Sequence, residues 1–250
     1  MPTFKHGDVE IAYLDQGVGD PIVLVHGFAS NKETNWVQPG WVSTLTRDDR
    51  RVIALDNRGH GQSTKLYEPV DYHTDLMAGD VAALIAHLGL PRADVMGYSL
   101  GARISTVLAA RHPQRVRALI LGGVGIKLIE VAGLHSDLAR ALEVASIADV
   151  TDPQGRAFRL FAEQTKSDLK ALAACLRGSR QALARADLAA VAAPVLVAAG
   201  TKDDLAGSPH ALAALFRHGQ ALDIPNRDHM VAVGDRVYKA GVLAFLKERS

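Results

Sequence analysis

In the segment Gly97-Tyr98-Ser99-Leu100-Gly101 a serine has a glycine two residues to either side. A serine hydroxyl is a weak nucleophile until a base takes its proton. Small flanking residues let it stand on a turn too tight for other side chains. Two later loops supply what such a serine needs. Asn226-Arg227-Asp228-His229-Met230 follows an apolar run and precedes a helical stretch, which makes His229 the candidate base. Other histidines fall in a strand (His6), near helix ends (His87, His112) or beside a short helix (His210, His218). Thr201-Lys202-Asp203-Asp204 also leaves an apolar run and offers two carboxylates, either of which suits the task of orienting the imidazole. Acyl transfer further requires N–H donors for the developing oxyanion. Leu100, directly after the serine, and Phe28, in His26-Gly27-Phe28-Ala29-Ser30, are the candidate donors, with His26 as a hydrogen bonder that orients the loop.

These groups work together only if one sheet edge carries them. The chain opens with two alternating segments, residues 3–6 and 9–17, that read as antiparallel strands around a turn at Gly7-Asp8. Short continuous apolar runs follow at 22–27, 51–56, 93–99, 116–123, 194–200 and 220–225, as in strands buried on both faces. Helical periods lie between most of them. Leu76, Val81, Leu84, Ile85 and Leu88 share one face of a helix. Pro113 stops the helix that Ser99 begins, and Ser208 caps a helix predicted to run to Gly219. The alternation specifies an α/β fold with a doubly wound, mostly parallel sheet, and Ser99 and the two later loops all leave carboxyl ends of its strands, where ligands bind.

Residues 126–185 break the rhythm. They contain no strand pattern but carry helical ones, such as Leu134, Leu138, Leu142 and Ala145, then Leu169, Leu172, Cys175 and Leu176. A single crossover rarely needs so long a segment. The expected division is therefore a core of 1–125 and 186–250 with a helical cap at 126–185.

Bulk properties exclude several functions. With 250 residues, 48% hydrophobic and 22% charged, the composition is that of an ordinary globular chain. A net charge of +1 without like-charge blocks gives no basis for a nucleic-acid partner or an anionic membrane surface. The longest apolar tract, 188–200, is too short for a bilayer span and contains Pro194. One cysteine, Cys175, permits no internal disulfide, and residues 1–10 lack the apolar stretch of a signal peptide. The expectation is a cytoplasmic setting. No metal-ligand spacing, phosphate loop or dinucleotide fingerprint is present, so no cofactor is expected.

The set His26-Gly27-Phe28, Asp56-Asn57-Arg58-Gly59-His60-Gly61-Gln62-Ser63, Gly97–Gly101, Gly200–Asp204 and Asp228-His229-Met230 resembles the α/β-hydrolase superfamily over nearly the whole chain. The resemblance implies an eight-stranded, mostly parallel sheet with a helical cap after strand six. It implies Ser99 as nucleophile and Phe28 and Leu100 as oxyanion donors. In such relatives the acid lies three residues after the glycine ending strand seven, which selects Asp203 over Asp204. Asp228 departs from the glycine that many relatives place before the histidine; its charge either raises the basicity of His229 or faces solvent. Arg58 and His60 are expected to tie loops together. Trp36 and Trp41 are expected to pack the first helix and the pocket wall.

The expected function is a serine hydrolase of carboxylic esters with small to medium, mainly aliphatic acyl groups, using Ser99, His229 and Asp203 on a small-molecule ester. Two alternatives stand beside it. One is lactone or carbon–carbon cleavage by the same triad; the other is a slow-turnover ligand-sensing module on the same fold. Oligomeric state is not legible.

Overall fold

The apolar runs become strands because alternate residues bury on opposite faces of one sheet. The computed structural model describes residues 1–129, 135–179 and 181–248. The strands are β1 (Thr3–His6), β2 (Val9–Gln16), β3 (Asp20–Val25), β4 (Arg50–Leu55), β5 (Ala93–Tyr98), β6 (Val116–Gly122), β7 (Val195–Gly200) and β8 (Gly219–Ile224). They form one eight-stranded sheet in the order β1-β2-β4-β3-β5-β6-β7-β8. β2 pairs antiparallel with β1 and β4, and the remaining ladders are parallel.

The helices are α1 (Trp41–Thr46), α2 (Thr74–His87), α3 (Leu100–Arg111), α4 (His135–Glu143), α5 (Pro153–Gln164), α6 (Leu169–Gly178), α7 (Arg185–Ala189), α8 (Pro209–Ala213) and α9 (Arg236–Glu248). Val23, Val25, Ile53, Val95, Leu119 and Val197 face α2, α3 and α8. Leu24, Ala54, Met96, Ile120 and Ala198 face the other way, toward Trp41 of α1 and Tyr238 and Phe245 of α9. Each of β3 to β7 thus supplies both cores, which is why its sequence is apolar at consecutive positions. Among the described residues, no helix is long and apolar enough to cross a membrane.

Three details differ from the sequence expectation. Leu76 is exposed, because α2 buries Met77, Ala78, Val81, Leu84 and Ile85, a face rotated away from it. α8 ends at Ala213; Gly219 opens β8 instead, where a side chain would strike the Ala213 carbonyl. Trp36 and Trp41 pack edge to face under the sheet, and Trp41 meets Tyr238 in the same way, so both lie in that core and not in a pocket wall.

Between β6 and β7 the described residues hold helices and no strand. Leu138, Ala139, Leu142, Ala162, Leu172 and Leu176 form a separate apolar cluster that closes on Ala29, with Phe28 and Phe158 at its margin. Helices α4 to α6 therefore share their own small core, seated on the loop after β3. Of the expected helical pattern, Leu134 lies outside the described residues and Ala145 is exposed beyond the end of α4. Cys175 is buried in α6.

Candidate active site

Ser99 lies between β5 and α3 with φ 54° and ψ −112°, a conformation that costs a non-glycine residue roughly 1–3 kcal/mol. The surrounding packing enforces it. A Cβ at Gly97 would collide with the Gly101 carbonyl, and one at Gly101 would collide with the carbonyls of Val25 and His26. The two glycines thus let α3 start hard against β3 and β5. The Ser99 N–H donates to the Gly122 carbonyl at 2.8 Å, which fixes the turn to β6.

The side chains then converge. Ser99 Oγ lies 3.0 Å from His229 Nε2, and His229 Nδ1 lies 2.8 Å from Asp203 Oδ2. Asp203 is buried, and its other oxygen accepts the Leu205 and Ala206 N–H groups, each at 3.0 Å. Those two bonds set which oxygen faces the imidazole. Nδ1 then carries the proton and Nε2 is left to accept from the serine. The arrangement can pass the Ser99 proton to His229 while Asp203 holds the ring and its developing charge.

Asp204 is exposed at the cavity edge, and its carbonyl accepts from Lys127 Nζ. Asp228 Oδ1 accepts the N–H groups of Met230 and Val231, so this carboxylate caps the turn that carries His229. Asp228 is exposed, in line with the solvent-facing alternative read from the sequence, which did not anticipate the cap.

Tyr98 was not singled out by sequence reasoning. Its hydroxyl donates to the His229 carbonyl at 2.7 Å, and its ring lies 5.7 Å from the imidazole. Burial, with Asp203 nearby, pushes the Tyr98 pKa well above its ordinary value, so it remains a donor. The residue preceding the serine thereby fixes the histidine loop.

The loop bearing Phe28 is held from three sides. The Gly27 N–H donates to Asn35 Oδ1 at 3.0 Å. The His26 ring donates from Nδ1 to the Gly27 carbonyl and accepts the Asn57 N–H at Nε2. Lys32 and Asp56, both buried, form an ion pair at 2.5 Å. Arg58 reaches from the same segment to Asp80 of α2 with two hydrogen bonds. His60 is buried beside His26 and Phe28, and its Nε2 has no hydrogen-bond partner among the described residues.

Burial, then the neighbouring His26, pushes the His60 pKa down to about 3. Burial also lowers that of His26. Above about pH 6.5 His60 is neutral folded or unfolded; below it the unfolded chain binds a proton that the folded site refuses until about pH 3. Stability should therefore fall on acidification through that window, by about 1.4 kcal/mol per pH unit for this group alone. Urea midpoints at about pH 7.5 and about pH 5 measure the slope, and His60→Gln should flatten it.

Two chambers meet at Ser99 and His229. The larger, 290 Å³, is lined by Leu100, Phe28, Arg103, Leu138 and Leu176 among others. The smaller, 100 Å³, is lined by Gly27, Asn35, Tyr98, Phe161 and Met230. Phe28 and Phe158, with ring centroids 6.0 Å apart, border both.

Residues 20–143 match the family model described as alpha/beta hydrolase fold. The chain is 32% identical over 247 residues to the dihydrolipoyllysine-residue acetyltransferase component of an acetoin cleaving system from Pseudomonas putida; the match covers 92% of this chain and 64% of that protein. It is 27% identical over 214 residues to 3-oxoadipate enol-lactonase 2 of Acinetobacter baylyi, covering 80% and 79% of the two chains. The crystal structure of a hydrolase from Pseudomonas aeruginosa superposes with a TM-score of 0.83 at 24% identity, over 98% of this chain and 97% of that one. The chain thus spans less than two thirds of the length of the first of these relatives.

Proposed function

Because the chain belongs to the α/β-hydrolase superfamily, we propose that it hydrolyses carboxylic esters through Ser99, His229 and Asp203. The observation that carries this reading is the unbroken hydrogen-bonded chain from Ser99 Oγ through His229 to Asp203 at the junction of two chambers. Ser99 Oγ attacks the ester carbonyl as His229 Nε2 takes its proton. The oxyanion is held by the N–H groups of Leu100, directly after the serine, and Phe28, in the loop after β3. Collapse expels the alcohol, which receives the proton from His229 and leaves an acyl-Ser99. Water, deprotonated by His229, attacks that ester, and the acid departs as Ser99 regains its proton. Residues 126–185 act as a cap, because their helices roof the larger chamber with Leu138, Phe158 and Leu176.

Lactones are a second substrate class for the same steps, and the similarity to an enol-lactonase supports testing them. A chamber of 290 Å³ lies just below the roughly 300–1,000 Å³ typical of small-molecule pockets. That favours small to medium acyl groups. In a p-nitrophenyl ester series kcat/KM should peak between butyrate and octanoate and fall about tenfold or more by laurate. A profile rising through laurate and palmitate would rule out the proposed acyl range.

A further inference from the structure

Arg103 stands one helical turn after Ser99 on α3, on the face that lines the larger chamber. Its surroundings differ from those of the fully buried arginines. Arg50 pairs with Asp94, Arg58 with Asp80, and Arg159 with Glu163. Arg103 instead donates from Nη1 to the Gln181 carbonyl at 2.9 Å and from Nη2 to the Leu128 carbonyl at 2.6 Å. Both acceptors are neutral, and a guanidinium has five N–H donors. Burial lowers the Arg103 pKa, but arginine stays protonated in proteins.

A second cation lines the same chamber. Lys127 Nζ donates to the Asp204 carbonyl, not to a carboxylate. Among the described residues, the acids nearby are otherwise placed: Asp203 is engaged with His229, and Asp204 is exposed at the rim. Lys127 is exposed, but Arg103 is partly buried, and desolvating a cation without a counter-charge is costly. The expense is recovered when an anion enters and takes the remaining guanidinium donors.

We propose that the larger chamber binds a carboxylate carried by the substrate, with Arg103 as the specificity-determining cation and Lys127 supporting it. The substrates are then anionic esters or lactones, such as half-esters of dicarboxylic acids. This rests on the ester-hydrolase reading of Ser99, and it adds the charge of what that site accepts. The competing role for Arg103 is mechanical, since its two carbonyl partners lie in the segment 126–185 and tie it to α3.

The test compares charged and neutral esters of matched size. p-Nitrophenyl hemiglutarate and p-nitrophenyl hexanoate place the charge on the acyl half. The butyrate esters of 4-hydroxybenzoate and 4-hydroxybenzamide place it on the leaving group. The wild type should prefer the anionic member of at least one pair. Arg103→Gln should lower kcat/KM for that member by about 30-fold, the loss of charge-assisted hydrogen bonds, and for its neutral partner by less than about threefold. Arg103→Lys, which keeps the charge, should retain part of the preference, and Lys127→Gln should weaken it by a few-fold.

Equal losses on charged and neutral esters, or no anionic preference in either pair, would overturn the proposal and leave Arg103 as a tie. Glutarate binding separates this from failure of the ester-hydrolase reading. If the wild type turns over neither pair but glutarate raises its Tm and not that of Arg103→Gln, the anion site stands and the hydrolase reading falls. If glutarate shifts neither protein and both pairs are inert, the anion site falls as well.

Discussion

Ser99→Ala should lower kcat for p-nitrophenyl butyrate by roughly 10⁴- to 10⁶-fold and leave the thermal midpoint nearly unchanged. The size of the loss follows from the cooperative arrangement. Without Oγ, His229 Nε2 has no serine proton to accept, and only positioning and oxyanion stabilisation remain. The fold should tolerate the change because the Ser99 side chain makes no capping hydrogen bond to α3. The strained backbone at position 99 is imposed by Gly97, Gly101 and their neighbours, and alanine inherits it unchanged. Steady-state kinetics together with a melting curve would separate lost chemistry from lost structure.

The second large effect belongs to Asp203→Asn, which should reduce kcat/KM by about 10³- to 10⁴-fold. The geometry explains why an isosteric change is so damaging. Asp203 Oδ1 accepts two backbone N–H groups, so an asparagine keeps its oxygen there and turns its NH₂ toward His229. Two donors then face each other, and the imidazole answers by moving its proton to Nε2. That nitrogen can no longer accept from Ser99. Asp204→Asn provides the control, with an expected change under about threefold, because its carboxylate is exposed and makes no bond to the imidazole.

The sequence carried the frame of this site further than its supports. Six apolar runs marked the parallel strands, five of which, β3 to β7, bury both faces, and the loops at their ends could be ordered as serine, acid, histidine. Between Asp203 and Asp204 the residue types were silent, and the spacing typical of the superfamily made the choice. The physical difference lies in the turn: the Asp203 N–H bonds the Gly200 carbonyl, and its side chain folds back onto the N–H groups of residues 205 and 206.

Tyr98 was invisible for another reason. A tyrosine ending an apolar strand reads as core, and nothing local signals a partner 131 residues away in the chain. Arg103 was hidden similarly. In an amphipathic helix an arginine reads as a solvated charge, and its place in the chamber depends on carbonyls at 128 and 181 that no short-range pattern locates. Leu76 fails in the opposite direction. Helical period alone allows it on the apolar face, and the packing of Met77 and Ala78 against the sheet turns it outward.

The most direct measurement is peptide mapping by mass spectrometry after reaction with a fluorophosphonate, which requires an activated serine. One adduct per chain, on the peptide containing Ser99, is the result predicted here, with labelling abolished in His229→Ala. No adduct on the native protein, or an adduct on a different residue, would contradict the assignment of Ser99 as the nucleophile.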